Sequence, residues 1–180
     1  LTLKSSRNIA AAFCREFVYM LVHPFPPVYD AKSEILILGS FPSVKSRENM
    51  FYYGHPQNRF WKVLADVLGE EFPQTVEERK RFLKRNHIAL WDVLESCEIK
   101  GASDVSIRNA RPNDMNRILQ AADIRAIFAT GAKAAQLYKK LCFPECGVEA
   151  VRLPSTSPAN CGCSYEKLRE AYSQICDYVR

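Results

Sequence analysis

The chain has 180 residues, enough for one domain with a sizeable core, and 47% of them are hydrophobic, which excludes a disordered protein. Lys plus Arg total 25 and Asp plus Glu total 20, giving a net charge of +5 that suits contact with nucleic acid without requiring it. No stretch is long enough to span a membrane: the apolar run over 9–22 is broken by Arg15-Glu16, and the part before that break is too short for a signal segment.

The sequence opens on Leu1, so its first residues are set aside from fold reasoning. The pattern over 8–22 predicts a helix outside the domain, and 1–22 is read as an N-terminal helical extension to a main domain over 23–180. HPFPPVYD (23–30) reads as an extended entry segment. EILILGS (34–40) is a short apolar run stopped by glycine, the pattern of a fully buried parallel strand. A long loop over 41–57 follows, then a helix over 58–68 with a broad apolar face. Thr75 is placed to cap the next helix, with Glu77 and Glu78 in its first turn. IALWDVL (88–94) is the second strand, and 96–114 reads as another long polar loop. A helix is predicted from Pro112 to Ala121, a strand over 125–131 and a helix after it. A fourth strand over 148–154, an exit loop over 155–162 and a helix over 165–178 close the chain.

This alternation predicts a single three-layer α/β/α domain around a four-stranded, mainly parallel sheet. Sites in such sheets form at the carboxyl ends of the strands, so the loops over 40–57, 96–114 and 155–162 are expected to converge. The seven cysteines are an odd number in a chain too large to need staples, and read as reduced thiols. Cys142-x3-Cys146 and Cys161-x-Cys163 lack metal-site spacing and a neighbouring His, so no metal is expected. Neither a dinucleotide glycine fingerprint nor a Walker lysine motif occurs, and no cofactor is expected.

GHPQNRFW (54–61) gathers His, Gln, Asn and Arg at the mouth of a helix, where a plain surface would not need them. It forms a block with GSFPS (39–43), FYYGHPQNRFWKVL (51–64) and LPSTSPANC (153–161). Together these segments resemble the uracil-DNA glycosylase superfamily, most of all its hypoxanthine-DNA glycosylase branch, with the mismatch-specific uracil/thymine-DNA glycosylases as relatives. The resemblance spans about 23–180, nearly the whole chain. It implies a uracil-DNA glycosylase-like fold and a monofunctional enzyme that flips a deaminated base out of DNA and hydrolyses its N-glycosidic bond. Hypoxanthine is the expected base. Uracil-acting relatives carry a water-activating Asn or Asp just before the first-motif proline, and here that position is Phe41.

The resemblance assigns Gly39, Ser40, Phe41, Pro42 and Ser43 to the base pocket, with Tyr53 stacking on the base and His55 and Asn58 shaping the wall. Arg59 either pairs with a phosphate or braces the loop. Lys45, Arg47, Ser155, Thr156 and Ser157 are candidate phosphate contacts, and Pro158, Ala159 and Asn160 match the segment that relatives push into the duplex. With Phe41 in the first motif, another group must hold water or stabilise the leaving base; Asn113 is the candidate, with Asp104 and Asp114 behind it. Damaged DNA is the expected partner of a monomer in the cytoplasm, nucleoid-associated in a prokaryote, without membrane attachment. Excision of uracil or mismatched thymine, a non-catalytic nucleic-acid module of the same fold, and a nucleoside hydrolase-like enzyme stay open beside this reading.

Overall fold

The computed structural model of the chain describes residues 20–99 and 106–179. Its centre is a four-stranded parallel sheet in the order β3-β2-β6-β7, formed by Ile35–Gly39 (β2), Ile88–Asp92 (β3), Ala126–Thr130 (β6) and Ala150–Leu153 (β7). Ile35 to Leu38 are wholly buried, because β2 is paired on both edges and covered on both faces. Helix α2 (Phe60–Leu68) packs with α7 (Tyr165–Ser173), α3 (Val76–Arg85) packs on β3, and α5 (Ala132–Leu141) packs on β6, β7 and the short α6 (Phe143–Cys146). Thr75 and Glu78 form the reciprocal cap that starts α3, and Gly69 ends α2 in the left-handed conformation.

Several expectations change. The stretch over 96–114 is not a plain loop. Leu94–Glu98 (β4) and Arg108–Pro112 (β5) pair antiparallel, and Met20–Val22 (β1) adds to the other edge of β4. The hairpin was hard to read because β5 is RNARP, a strand with exposed charged positions and no apolar alternation. The expected helix over 8–22 falls mostly outside the described residues, and its last three residues are strand β1. The expected helix from Pro112 shrinks to α4 (Asn116–Leu119), since Pro112 ends β5 and the Asn113 N–H donates to the Val93 carbonyl. The loop over 41–57 holds a short helix, α1 (Val44–Glu48), capped by Ser43. Among the described residues, no helix is long and apolar enough to cross a membrane.

Candidate active site

From β2 the chain moves outward to β3, then crosses back to the other side of β2 for β6 and β7. The direction of winding therefore reverses between β2 and β6. A crevice opens beyond their carboxyl ends, at Gly39 and Thr130, and a cleft of about 910 Å³ lies there. The first loop supplies Gly39, Ser40, Phe41, Pro42 and Ser43; the last supplies Ser155, Thr156, Ser157, Ala159 and Asn160. Tyr53, Asn58 and Arg47 complete the predicted residues that meet in it.

Other predicted residues lie elsewhere. Asn113 is buried outside the cleft lining, with its side-chain amide donating to the Asp92 carbonyl at 2.9 Å. Asp114 is exposed and accepts from the Asn116 N–H, a local turn contact. Asp104 lies outside the described residues. His55 uses Nδ1 to accept from the Gln57 N–H and does not line the cleft. Exposed Lys45 pairs with Glu48, and Pro158 sits in the last loop beside the lining residues.

Tyr53 is held in an uncommon left-handed backbone conformation, φ 50°. Its ring stacks on Phe60 at 3.7 Å between centroids and 11° between planes. The Thr130 hydroxyl donates to the Leu38 carbonyl, so it accepts from the Tyr53 hydroxyl, 2.8 Å away. Burial, then the nearby Asp92 charge, hold the Tyr53 phenol well above its ordinary pKa, and it stays a neutral donor. The next residue, Gly54, is clamped: its N–H donates to the Ser46 hydroxyl and its carbonyl accepts from the Asn49 amide, both at 3.0 Å. A side chain at 54 would press on Asn49 and the α1 backbone.

Asn58 opens α2 as an Asx turn, its Oδ1 accepting from the Phe60 N–H at 2.9 Å. That bond fixes the side chain, and its amide NH2 can donate to a ligand in the cleft. Arg59 braces the last loop. Its guanidinium donates to the carbonyls of Cys163 (2.7 Å), Asn160 (3.1 Å) and Ser157 (3.3 Å), and its backbone N–H donates to that of Thr156. Asn160 closes the loop internally through the Ser155 carbonyl, which leaves Ala159 exposed at the tip. Arg47 donates to the Pro42 carbonyl and lies over the Phe41 ring, so it shapes the first loop from the cleft wall.

Asp92 and its partner His23 were not anticipated. Asp92, at the end of β3, lines the cleft and is 4% exposed. Its Oδ2 lies 2.9 Å from His23 Nε2, in the entry segment. The clue in the sequence was a carboxylate ending the apolar run IALWD, at a strand's carboxyl end. Thr130 and Arg152 also line the cleft. Among the described residues, no His, Cys, Asp and Glu cluster is arranged to hold a metal ion. Cys142, buried away from the cleft, has its thiol pushed up to about 12, mainly by burial.

A parallel sheet of this order, with a polar cleft walled by a stacked tyrosine and a braced Pro-Ser loop, defines a uracil-DNA glycosylase-like protein. The sequence model of the Uracil DNA glycosylase superfamily matches residues 26–178, and the chain belongs to that superfamily. A curated relative named Hypoxanthine DNA glycosylase, from Methanosarcina acetivorans, is 38% identical over 143 residues, 78% of this chain and 89% of the relative. Another of the same name, from Methanosarcina barkeri, is 36% identical over 138 residues, 76% of this chain and 86% of the relative. A solution NMR structure of a candidate uracil DNA glycosylase from Methanosarcina acetivorans superposes with a TM-score of 0.73 at 32% identity, covering 87% of this chain and 99% of that one.

Proposed function

We propose that the protein is a monofunctional DNA glycosylase that removes hypoxanthine from DNA. The observation that carries this reading is the meeting of the three glycosylase-like segments in one cleft at the β2–β6 crevice, in a chain whose relatives bear the name Hypoxanthine DNA glycosylase.

The reaction needs a flipped nucleotide, a stacking surface, donors toward the departing base and water at the sugar. Tyr53, backed by Phe60, offers the stacking surface, and base–aromatic stacking contributes roughly 1–3 kcal/mol. The Asn58 amide offers a donor to the negative charge that grows on the base as the glycosidic bond breaks. Loop 155–160, held by Arg59, offers backbone and hydroxyl donors to phosphates and sets Ala159 toward the gap left by the flipped base. Ala159 is a small wedge, so excision depends weakly on the opposite base. Asn113 acts through Asp92, whose carbonyl it holds, and Asp114 takes no direct part. Water is the expected nucleophile, since a Schiff-base lyase would need an amine in the pocket.

Phe41 lies at the cleft with only 7% of its surface exposed and its side chain cannot position water by a hydrogen bond, so the route of the uracil-acting relatives, which place an Asn or Asp there, is closed to this chain. The test is a labelled duplex with a single inosine, and a matched one with uracil, incubated with the protein and then cleaved with alkali. Strand cleavage at inosine, faster than at uracil and without a borohydride-trapped adduct, is the expected result. DNA binding without cleavage of either duplex would favour the non-catalytic module.

A further inference from the structure

We propose that the Asp92 carboxylate, held by His23, reads the ring N–H that separates hypoxanthine from adenine. The proposal deepens the glycosylase reading and rests on it.

The floor of the cleft is built around this carboxylate. Oδ2 takes the hydrogen bond from His23, and the two side chains are 6% and 3% exposed. An ionised carboxylate only accepts, so the His23 Nε2–H is the donor. Oδ1 sits over Gly39: a Cβ added there would lie 2.2 Å from it. Residue 39 is therefore a glycine because the carboxylate occupies the space a side chain would take. The strand end that carries Asp92 is fixed from two sides. Asn113 donates to its carbonyl at 2.9 Å, and the following Val93 N–H donates to the Gly39 carbonyl at 2.9 Å. His23 is itself enclosed by the rings of Phe25, Phe41 and Tyr52, and its buried Nδ1 has no partner among the described residues. A histidine buried with an unsatisfied nitrogen is costly to keep as mere packing. Its return is the orientation of Asp92, one oxygen engaged by His23 and the other set over Gly39, which like Asp92 lines the cleft.

Hydrolytic deamination changes one edge of a base in a fixed way. Adenine presents an amino group beside the bare acceptor N1; hypoxanthine presents a carbonyl beside an N1–H. Cytosine and uracil differ in the same way at N3. A buried carboxylate accepts from the N–H of the deaminated base and repels the lone pair of its parent. Sites built to bond one N–H or O–H reject the analogue lacking it by roughly 10⁴–10⁵-fold. Guanine also carries an N1–H, so its rejection must come from packing against its 2-amino group.

The test compares single-turnover excision of hypoxanthine and of adenine from otherwise identical duplexes by wild type, Asp92→Asn and His23→Gln. Asp92→Asn preserves shape but can turn a donor to the base. It should lose on the order of 100-fold on hypoxanthine and narrow the hypoxanthine-to-adenine ratio. His23→Gln should move both quantities the same way by less, because the carboxylate remains. A wild-type ratio in Asp92→Asn overturns the proposal. A second measurement leaves the protein untouched: 1-methylhypoxanthine replaces the N–H by a methyl group, and wild type should lose on the order of 100-fold. Equal excision of the methylated base also overturns the proposal. If wild type excises hypoxanthine while these comparisons show no change, only the role of Asp92 falls; if wild type releases no base at all, the glycosylase reading falls with it.

Discussion

Replacing Arg59 with alanine removes the guanidinium that ties loop 155–163 to the start of α2. Two of its bonds are short, to Cys163 at 2.7 Å and Asn160 at 3.1 Å, while the contact to Ser157 is longer at 3.3 Å. Hydrogen bonds to charged groups contribute about 1.5–3 kcal/mol each. Arg59 is half-buried, so the low end applies and the two short bonds together give about 3 kcal/mol. At this chain length, 1 kcal/mol moves the melting temperature by roughly 2–4 °C, so Arg59→Ala should melt about 6–12 °C below wild type. The backbone bond from Arg59 N–H to Thr156 survives the change, so the root of the loop stays in place and its tip loosens. Excision should fall more than the melting shift alone implies, because Ala159 and the loop donors lose their fixed positions. Arg59→Lys should recover less than half of the loss: a compact ammonium cannot fan out to three carbonyls as a planar guanidinium does. Calorimetric melting with single-turnover excision on inosine DNA makes the measurement. A drop below about 2 °C for Arg59→Ala would refute the bracing role.

Gly39→Ala should cost about 1–3 kcal/mol of stability and most of the excision rate, since the new Cβ lands 2.2 Å from Asp92 Oδ1 and 3.4 Å from the Tyr53 hydroxyl. Wild-type excision by that variant would show that the carboxylate can move aside at no cost to function. Glu70 ties the end of α2 to the end of α3 through Arg85 and Asn86, and the Arg85 hydrogen bond, opposed in part by burial, holds its carboxyl below the ordinary value. A lowered folded pKa contributes stability above the unfolded value, near 4.3, and loses it as pH falls through the folded one. Melting curves from about pH 7 to about pH 3 should therefore show Glu70→Gln less stable at neutral pH by at most about 1 kcal/mol and level with wild type at the acid end. A gap that persists in acid would assign the effect to packing.

Most of the parallel sheet was legible because β2, β3 and β6 are apolar runs, and burial on both faces leaves that mark; the edge strand β7 is AVRL, with Val151 and Arg152 exposed. The α3 cap was legible because Thr75 and Glu78 act within one turn. Convergence of the first and last loops followed from strand direction alone. The antiparallel sheet was not legible: RNARP carries no face pattern, and its pairing with β4 is made by backbone groups that any sequence possesses. Asn113 shows the limit for single residues. A polar amide after a proline suits a cap, a ligand or a buried carbonyl equally well, and only the path of β4 away from Asp92 brings the third partner to it.

The His23–Asp92 pair was hidden for a different reason, since 69 residues separate its members. Its position also bears on Phe41. Where uracil-acting relatives carry a polar side chain before the proline, this chain has a ring that lies edge-on to His23 at 6.1 Å between centroids. With phenylalanine there, Phe25, Phe41 and Tyr52 enclose the His23 end of the pair, and both side chains are almost wholly buried. Charge interactions strengthen in such surroundings, so the carboxylate discriminates more sharply between an N–H and a lone pair than it would in contact with solvent. The apolar residue in the first motif and the buried carboxylate at the end of β3 are on this view two halves of one arrangement, in which the polar work of the pocket floor has moved one strand across the sheet.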